Sequence, residues 1–172
     1  MAVDLDDIDR AILRLLQDNA RTSNAEIGRV VSLSGQSVQE RIRKLETAGV
    51  VRGYEVALNP AALGIEVTAF VEATIPSGRD YNSEYRIITE FSNQEAEVLE
   101  QHGVAGDIDL ILKVRCIDVT HLNALMNRLH TATRAHTKTI IVLNTNKETQ
   151  RTVLPGTTRP PGPPIPEPMS EG

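Results

Sequence analysis

The sequence predicts an α+β protein, with an N-terminal helix-turn-helix and a C-terminal βαββαβ, ferredoxin-like domain. Three observations predict it. Apolar residues recur at helical spacing three times in the first fifty residues, the last two runs parted only by Ser32-Leu33-Ser34-Gly35. From Glu66 the texture changes to short β-branched runs alternating with two helical patterns. After Leu154 seven of the nine prolines crowd together with few apolar residues to bury.

Leu5, Ile8, Ile12, Leu15 and Leu16 lie on one face of a helix over 5–17, and aspartates fill its first turn, where the helix dipole favours them. A second short helix is expected from Asn24 as N-cap through Val31. Ser34 caps a third helix that carries Val38, Ile42 and Leu45 inward and stops at Gly49. Val50 to Leu58 reads as a short strand, broken by Asn59-Pro60. Glu66–Ile75 is a strand, Tyr81 to Phe91 a helix, and Val98–Val104 and Ile108–Cys116 a hairpin turning around Gly106. Val119 to Leu129 is a further helix and Thr139–Leu143 the last strand. The helices are expected on one face of an antiparallel sheet, leaving an uncovered apolar face for a second copy of the chain. The domains divide as 1–58, a linker at 59–65, 66–150, and a disordered Pro-rich tail at 151–172.

Composition narrows the function classes. The chain has 172 residues, 40% hydrophobic but only 3% aromatic and without Trp, so its cores are aliphatic and small. No apolar run is long enough to span a membrane, and the acidic N-terminus lacks a signal-peptide core. The single Cys116 fits a reducing cytoplasm. A net charge of −5 argues against coating nucleic acid by bulk charge. Residues 1–20 hold five aspartates against two arginines, whereas residues 21–52 hold six cations against three acids. A local basic face on an acidic chain suits site-specific DNA binding.

The third helix carries the candidate DNA-reading residues: Ser34, Gln36, Ser37, Gln39, Glu40, Arg41, Arg43 and Lys44. Amides, hydroxyls and cations read base edges and hold phosphates, and the helix N-terminus with Gln36 and Ser37 is the end that enters the major groove. The same wheel would also describe a solvated three-helix bundle.

Further residues carry a family resemblance. Asp6-Asp7-Ile8-Asp9-Arg10-Ala11-Ile12-Leu13, Arg21-Thr22-Ser23-Asn24-Ala25-Glu26-Ile27, Glu40-Arg41-Ile42-Arg43-Lys44-Leu45-Glu46, Gly49-Val50-Val51, Asn59-Pro60-Ala61-Ala62-Leu63-Gly64 and Gly106-Asp107-Ile108-Asp109 occur in order. Over roughly residues 4–150 the sequence resembles the leucine-responsive and asparagine-responsive (Lrp/AsnC, feast/famine) transcription regulators. The resemblance implies a sequence-specific regulator binding double-stranded DNA through a winged helix-turn-helix at 1–58, with 66–150 as an effector-binding and oligomerisation domain. It also implies a homodimer, assembling further as a tetramer of dimers (an octamer), with an amino-acid effector at the seams. Two departures stand out: Ser32 where the family often has Gly, and Gly28 inside helix 2 where Ala is usual. Gly in a helix costs about 0.5–1 kcal/mol against Ala.

The resemblance places the effector at Gly106, Asp107 and Asp109, with Thr137 and Thr139 as further candidates. Gly106 would let backbone N–H groups approach a carboxylate, and an aspartate would hold an amino group. Gly-Asp also closes ordinary hairpins. No cofactor or metal is expected: His102, His121, His130 and His136 lack ligand spacing, and no phosphate loop or nucleophile elbow is present. The competing readings are a sirohaem decarboxylase-like enzyme on the same fold and an architectural DNA-compacting protein. The expected location is the cytoplasm, on the nucleoid.

Overall fold

Helix α1 (Asp7–Asp18) starts where Asp6 and Asp9 close a reciprocal capping box in the computed structural model, which describes residues 3–155. The Asp9 N–H donates to Asp6 Oδ1 at 2.7 Å and the Asp6 N–H to Asp9 Oδ2 at 3.3 Å, satisfying two donors that a bare helix start leaves orphaned. Helix α2 (Asn24–Val31) has the same device, but its cap is Ser23 with Glu26; Asn24 is already helical. Helix α3 (Gly35–Thr47) is capped by Ser34 as expected. Gly49, at φ 71°, turns the chain out of α3 while Val50 N–H bonds back to the Leu45 carbonyl. Ile12, Ile27, Val38 and Ile42 meet in one buried cluster, so each helix contributes to the core and α3 keeps its opposite face in solvent.

The strand expected at 50–58 does not form, and with it the wing is missing: the segment has no regular secondary structure. Tyr54, Val56 and Leu58 are 50%, 82% and 66% exposed, and Glu55 and Ala57 between them are exposed too, so the segment presents no buried face. A strand needs a neighbour to take its backbone hydrogen bonds, and none of the described residues supplies one.

The described residues divide into 3–56 with 149–155, and 57–148. After a short 3-10 turn at Ala61–Leu63, the second unit runs β1 (Val67–Thr74), α4 (Tyr81–Gln94), β2 (Val98–Gly103), β3 (Leu110–Cys116), α5 (Val119–Ala132) and β4 (His136–Ile141). The sheet order is β2-β3-β1-β4 and every pairing is antiparallel. This is the βαββαβ arrangement that the sequence predicts, with β4 starting three residues earlier. Ala69, Val71, Leu112 and Val114 point to the helices and pack on Phe91, Leu122, Leu125 and Leu129.

The opposite sheet face differs from expectation. It is not apolar. Phe70 and Ile140 face each other across β1 and β4 and are about two-fifths exposed, at 39% and 40%, but beside them lie Glu72 paired with Lys138, and Glu100 paired with Lys113. Glu148 bonds both Lys113 and Arg115, so the chain after β4 returns across this face. Ion pairs occupy the places where alternation alone would suggest a bare hydrophobic surface.

The expected tail also begins later than residue 151. Residues 149–155 lie along α1: Arg151 pairs with Asp18 at 2.6 Å, Thr152 N–H donates to Gln17 Oε1, and Arg10 donates to the Pro155 carbonyl. The disorder expected for the remainder, residues 156–172, lies outside the described residues. Among the described residues no helix is long and apolar enough to cross a membrane.

Candidate DNA interface and effector site

Burial of Val38, Ile42 and Leu45 fixes which side of α3 faces out. Gln36, Gln39, Glu40, Arg43 and Lys44 are exposed, and Ser37 is half-buried. The two serines are partly spent on structure. Ser37 N–H donates to Ser34 Oγ at 3.0 Å, and the two hydroxyls lie 2.8 Å apart. Gln36 is thus the free polar side chain at the helix start, where backbone N–H groups and the positive dipole end favour phosphate or base acceptors.

Arg41 turns the other way. Its guanidinium bonds Asp6 at 2.7 Å and Asp9 at 2.8 Å, clamping α3 to the first turn of α1. The Asp9 backbone N–H, and after it Arg41, hold the Asp6 carboxyl below its ordinary range; the two carboxylates raise the Arg41 pKa in turn. Arg43 and Lys44 have no ion-pair partner among the described residues, nor do Arg21, Arg29 and Arg52. The negative residues of the N-terminal segment therefore neutralise Arg10, Arg41 and Arg151, while the cations of residues 21–52 other than Arg41 stay open to phosphate. Arg21, Arg29 and Arg52 were visible in the charge count but were not singled out, because nothing in sequence distinguishes a paired from an unpaired arginine.

The turn between α2 and α3 explains the two family departures together. Ser32 has φ 58°, the left-handed region where glycine is favoured. The turn brings the Leu33 carbonyl over α2, and a Cβ at Gly28 would sit 2.4 Å from that oxygen. Glycine at 28 is therefore a fit to the turn and no mere loss of helix propensity.

The expected effector residues fall into two groups at one end of the sheet. Ala73, near the end of β1, lies opposite Leu110 at the start of β3 and Thr137 near the start of β4. Gly106, at φ 149°, and Asp107 are exposed on the β2–β3 turn, with open space around the Gly106 Cα. Asp109 is half-buried and already engaged. Its Oδ2 accepts from Ile75 N–H at 2.7 Å, and its backbone bonds Ala73 and Val104. Desolvation, and next the Asp109 charge, push the Tyr81 phenol up. Thr137 lies on the helix side of β4 with its hydroxyl 2.6 Å from His130 Nε2, and Thr139 is exposed on the same edge. A cavity of about 590 Å³ at the α5–β4 turn is lined by His130, Thr133, Arg134, His136 and Thr137 among others. Sequence reading named only Thr137 here.

Comparison with known proteins identifies the family of each domain. Residues 5–46 match the AsnC-type helix-turn-helix domain, and residues 68–152 match the Lrp/AsnC ligand binding domain. The HTH-type transcriptional regulator FL11 of Pyrococcus abyssi is 33% identical over 150 residues, covering 87% of this chain and 96% of that one. The leucine-responsive regulatory protein of Escherichia coli K12 is 35% identical over 154 residues, covering 88% and 92%. A transcriptional regulator of Neisseria meningitidis solved in complex with L-methionine superposes with a TM-score of 0.79 at 26% identity, covering 88% of this chain and 98% of that one. With both domains matched in order and both relatives spanned almost end to end, the chain belongs to the Lrp/AsnC family of helix-turn-helix, DNA-binding transcriptional regulators.

Proposed function

We propose that this regulator reads its DNA site with Gln36 and neighbouring residues of α3, holds phosphates with Arg43 and Lys44, and adjusts its activity to a bound amino acid or related small molecule. The carrying observation is the split among the arginines and lysines of the helix-turn-helix: Arg41 is consumed by Asp6 and Asp9, while Arg43 and Lys44 remain unpaired on the exposed face. Ser34 is proposed as a cap first, and Ser37, Gln39 and Glu40 as flanking contacts. The effector reading draws support from the exposed Gly106–Asp107 turn, from the cavity at the α5–β4 turn, and from the L-methionine complex of the Neisseria protein.

The protein acts as a homo-oligomer in this reading. The unpaired 50–58 segment and the mixed face bearing Phe70 and Ile140 are surfaces that a second copy would complete. Its proposed place is the cytoplasm, on the nucleoid, and no catalysis is assigned to it. Fluorescence anisotropy with promoter DNA over a salt series tests the DNA assignment. Lys44→Ala and Arg43→Ala should each lower the salt slope by about one unit, for specific and non-specific DNA alike. Gln36→Ala should weaken only the preferred site, by about 1–3 kcal/mol. Parent-like behaviour of all three would overturn it.

A further inference from the structure

We infer that Glu40 is a specificity-determining residue, its carboxylate accepting a hydrogen bond from the amino group of a cytosine in the major groove. The inference rests on the reading of α3 as the DNA-reading helix, and gives one of its flanking contacts a definite base.

Residues 21–52 hold three acids, and two of them are spent on structure. Glu26 closes the capping box of α2 with Ser23, and Glu46 accepts from the Tyr54 hydroxyl at 3.0 Å. Glu40 is exposed and has neither a hydrogen bond nor an ion pair from its side chain among the described residues.

The second observation is its place on the helix. Val38, Ile42 and Leu45 are buried. At about 100° per residue, Gln36, Glu40 and Arg43 form one stripe on the side away from those three. Glu40 lies between the other two along the axis and most nearly opposite the core. A helix that lays this stripe in the major groove therefore carries a negative charge into the middle of the contact. On the free helix Arg43 at i+3 and Lys44 at i+4 are within reach and offset that charge. Once those cations turn to phosphates, the carboxylate faces a polyanion uncompensated. Every sequence that offers it no donor then loses affinity.

Donors on base edges in this groove are few. Guanine shows only acceptors there, and thymine an acceptor and a methyl group. Adenine N6 is a donor set between two acceptors, its own N7 and the O4 of its thymine partner. Cytosine N4 has an acceptor on one side alone, the O6 of its guanine partner. An ionised carboxylate has two oxygens and no proton, so its second oxygen is repelled beside adenine N6 and has room beside cytosine N4. An amide brings one donor and one acceptor and suits adenine, which falls to Gln36. Gln36 and Glu40 are about 6 Å apart along the helix, roughly two base-pair steps. The preferred site therefore holds an adenine and a cytosine about that far apart.

The test uses the full chain and a pool of randomised DNA duplexes. Duplexes selected by the parent, by Glu40→Gln and by Glu40→Ala are sequenced, and anisotropy at one fixed salt concentration measures the effect of each base change. The parent is expected to select a C·G pair at one position and to lose about tenfold or more when that pair is replaced. Glu40→Gln should move the preference at that position to adenine and leave the other positions as they were. Glu40→Ala should relax that position alone and raise the affinity for non-specific DNA, because a negative charge has left the interface. An equal loss on all sequences in both variants marks a structural role and overturns the inference. So does a pattern of preferences that both variants retain, and so does a parent that selects adenine where the variants alter the choice. If the parent selects no sequence at all, the reading of α3 fails first and the inference falls with it.

Discussion

Gly28 and Ser32 exchange the roles that propensity alone would give them. Ser32 bears the left-handed backbone, and Gly28 makes room for the carbonyl that this backbone delivers. Gly28→Ala should therefore lower stability by about 1–3 kcal/mol, as an overpacked site does, and not raise it as helix propensity would suggest. Ser32→Gly should change it upward by up to about 1 kcal/mol, since relief of the left-handed strain is offset by chain entropy. Urea unfolding of both variants decides the sign. Arg41 and Lys44 make a similar contrast. Arg41→Ala should lower the unfolding midpoint and leave the salt slope of DNA binding in place, and Lys44→Ala should do the reverse. The outward face of α3 was legible because spacing alone fixes which residues point inward. The commitment of Arg41 was not, because its partners lie more than thirty positions earlier and are brought close only by packing.

At the level of elements, the β2–β3 hairpin shows where family carry-over and geometry part. Gly106 and Asp107 stand open, but Asp109 is a brace between β3 and the end of β1. Asp109→Ala should cost about 1–3 kcal/mol through the unpaired Ile75 N–H, so loss of effector response in that variant would not prove contact with the ligand. Asp107→Ala should leave stability within about 0.5 kcal/mol and is the cleaner probe. The hairpin also meets α4. A Cβ at Gly103 would come 2.8 Å from the Tyr85 hydroxyl, while the next ring atoms stay at ordinary distances. Gly103→Ala should thus destabilise the domain, and adding Tyr85→Phe should restore most of the loss; thermal unfolding of the two singles and the double closes the cycle. Across the open sheet face, Lys113 bonds first to Glu148 and then to Glu100, and this contact holds the Glu148 carboxyl below its ordinary value of 4.5. The contribution is present above that value and is lost as pH falls through the lower folded value. Lys113, raised above 10.5, contributes below that value and loses it as pH climbs through the folded one. Dichroism against pH should therefore show the domain loosening at both ends, with a plateau between.

For the whole molecule, the order and type of the regular elements of both domains were legible, because each has its own apolar period and punctuation. The segment 50–58 was misread for an instructive reason. Its apolar and β-branched residues suit a strand, yet a strand is a property of a pair of chains or segments, and a single sequence does not name its partner. If a second copy completes it, unfolding of the intact protein should shift to higher temperature with protein concentration, and the variant Val56→Asp should remove that dependence. Calorimetry at several concentrations checks it, and a midpoint indifferent to concentration in the parent would count against an obligate oligomer.

The return of residues 149–155 to α1 has a consequence for the order of folding. The contacts among α1, α2 and α3 span fewer than fifty positions, and such local cores form fast and early. The bond from Thr152 to Gln17 closes a separation of 135 positions and waits for the whole of the sheet domain to be made. On the ribosome the three-helix core emerges first and assembles alone, while the whole of the sheet domain is still to come. Residues 149–155 then settle on a helix made before the sheet domain, so the N-terminal unit begins to fold before that domain exists and is completed only after it.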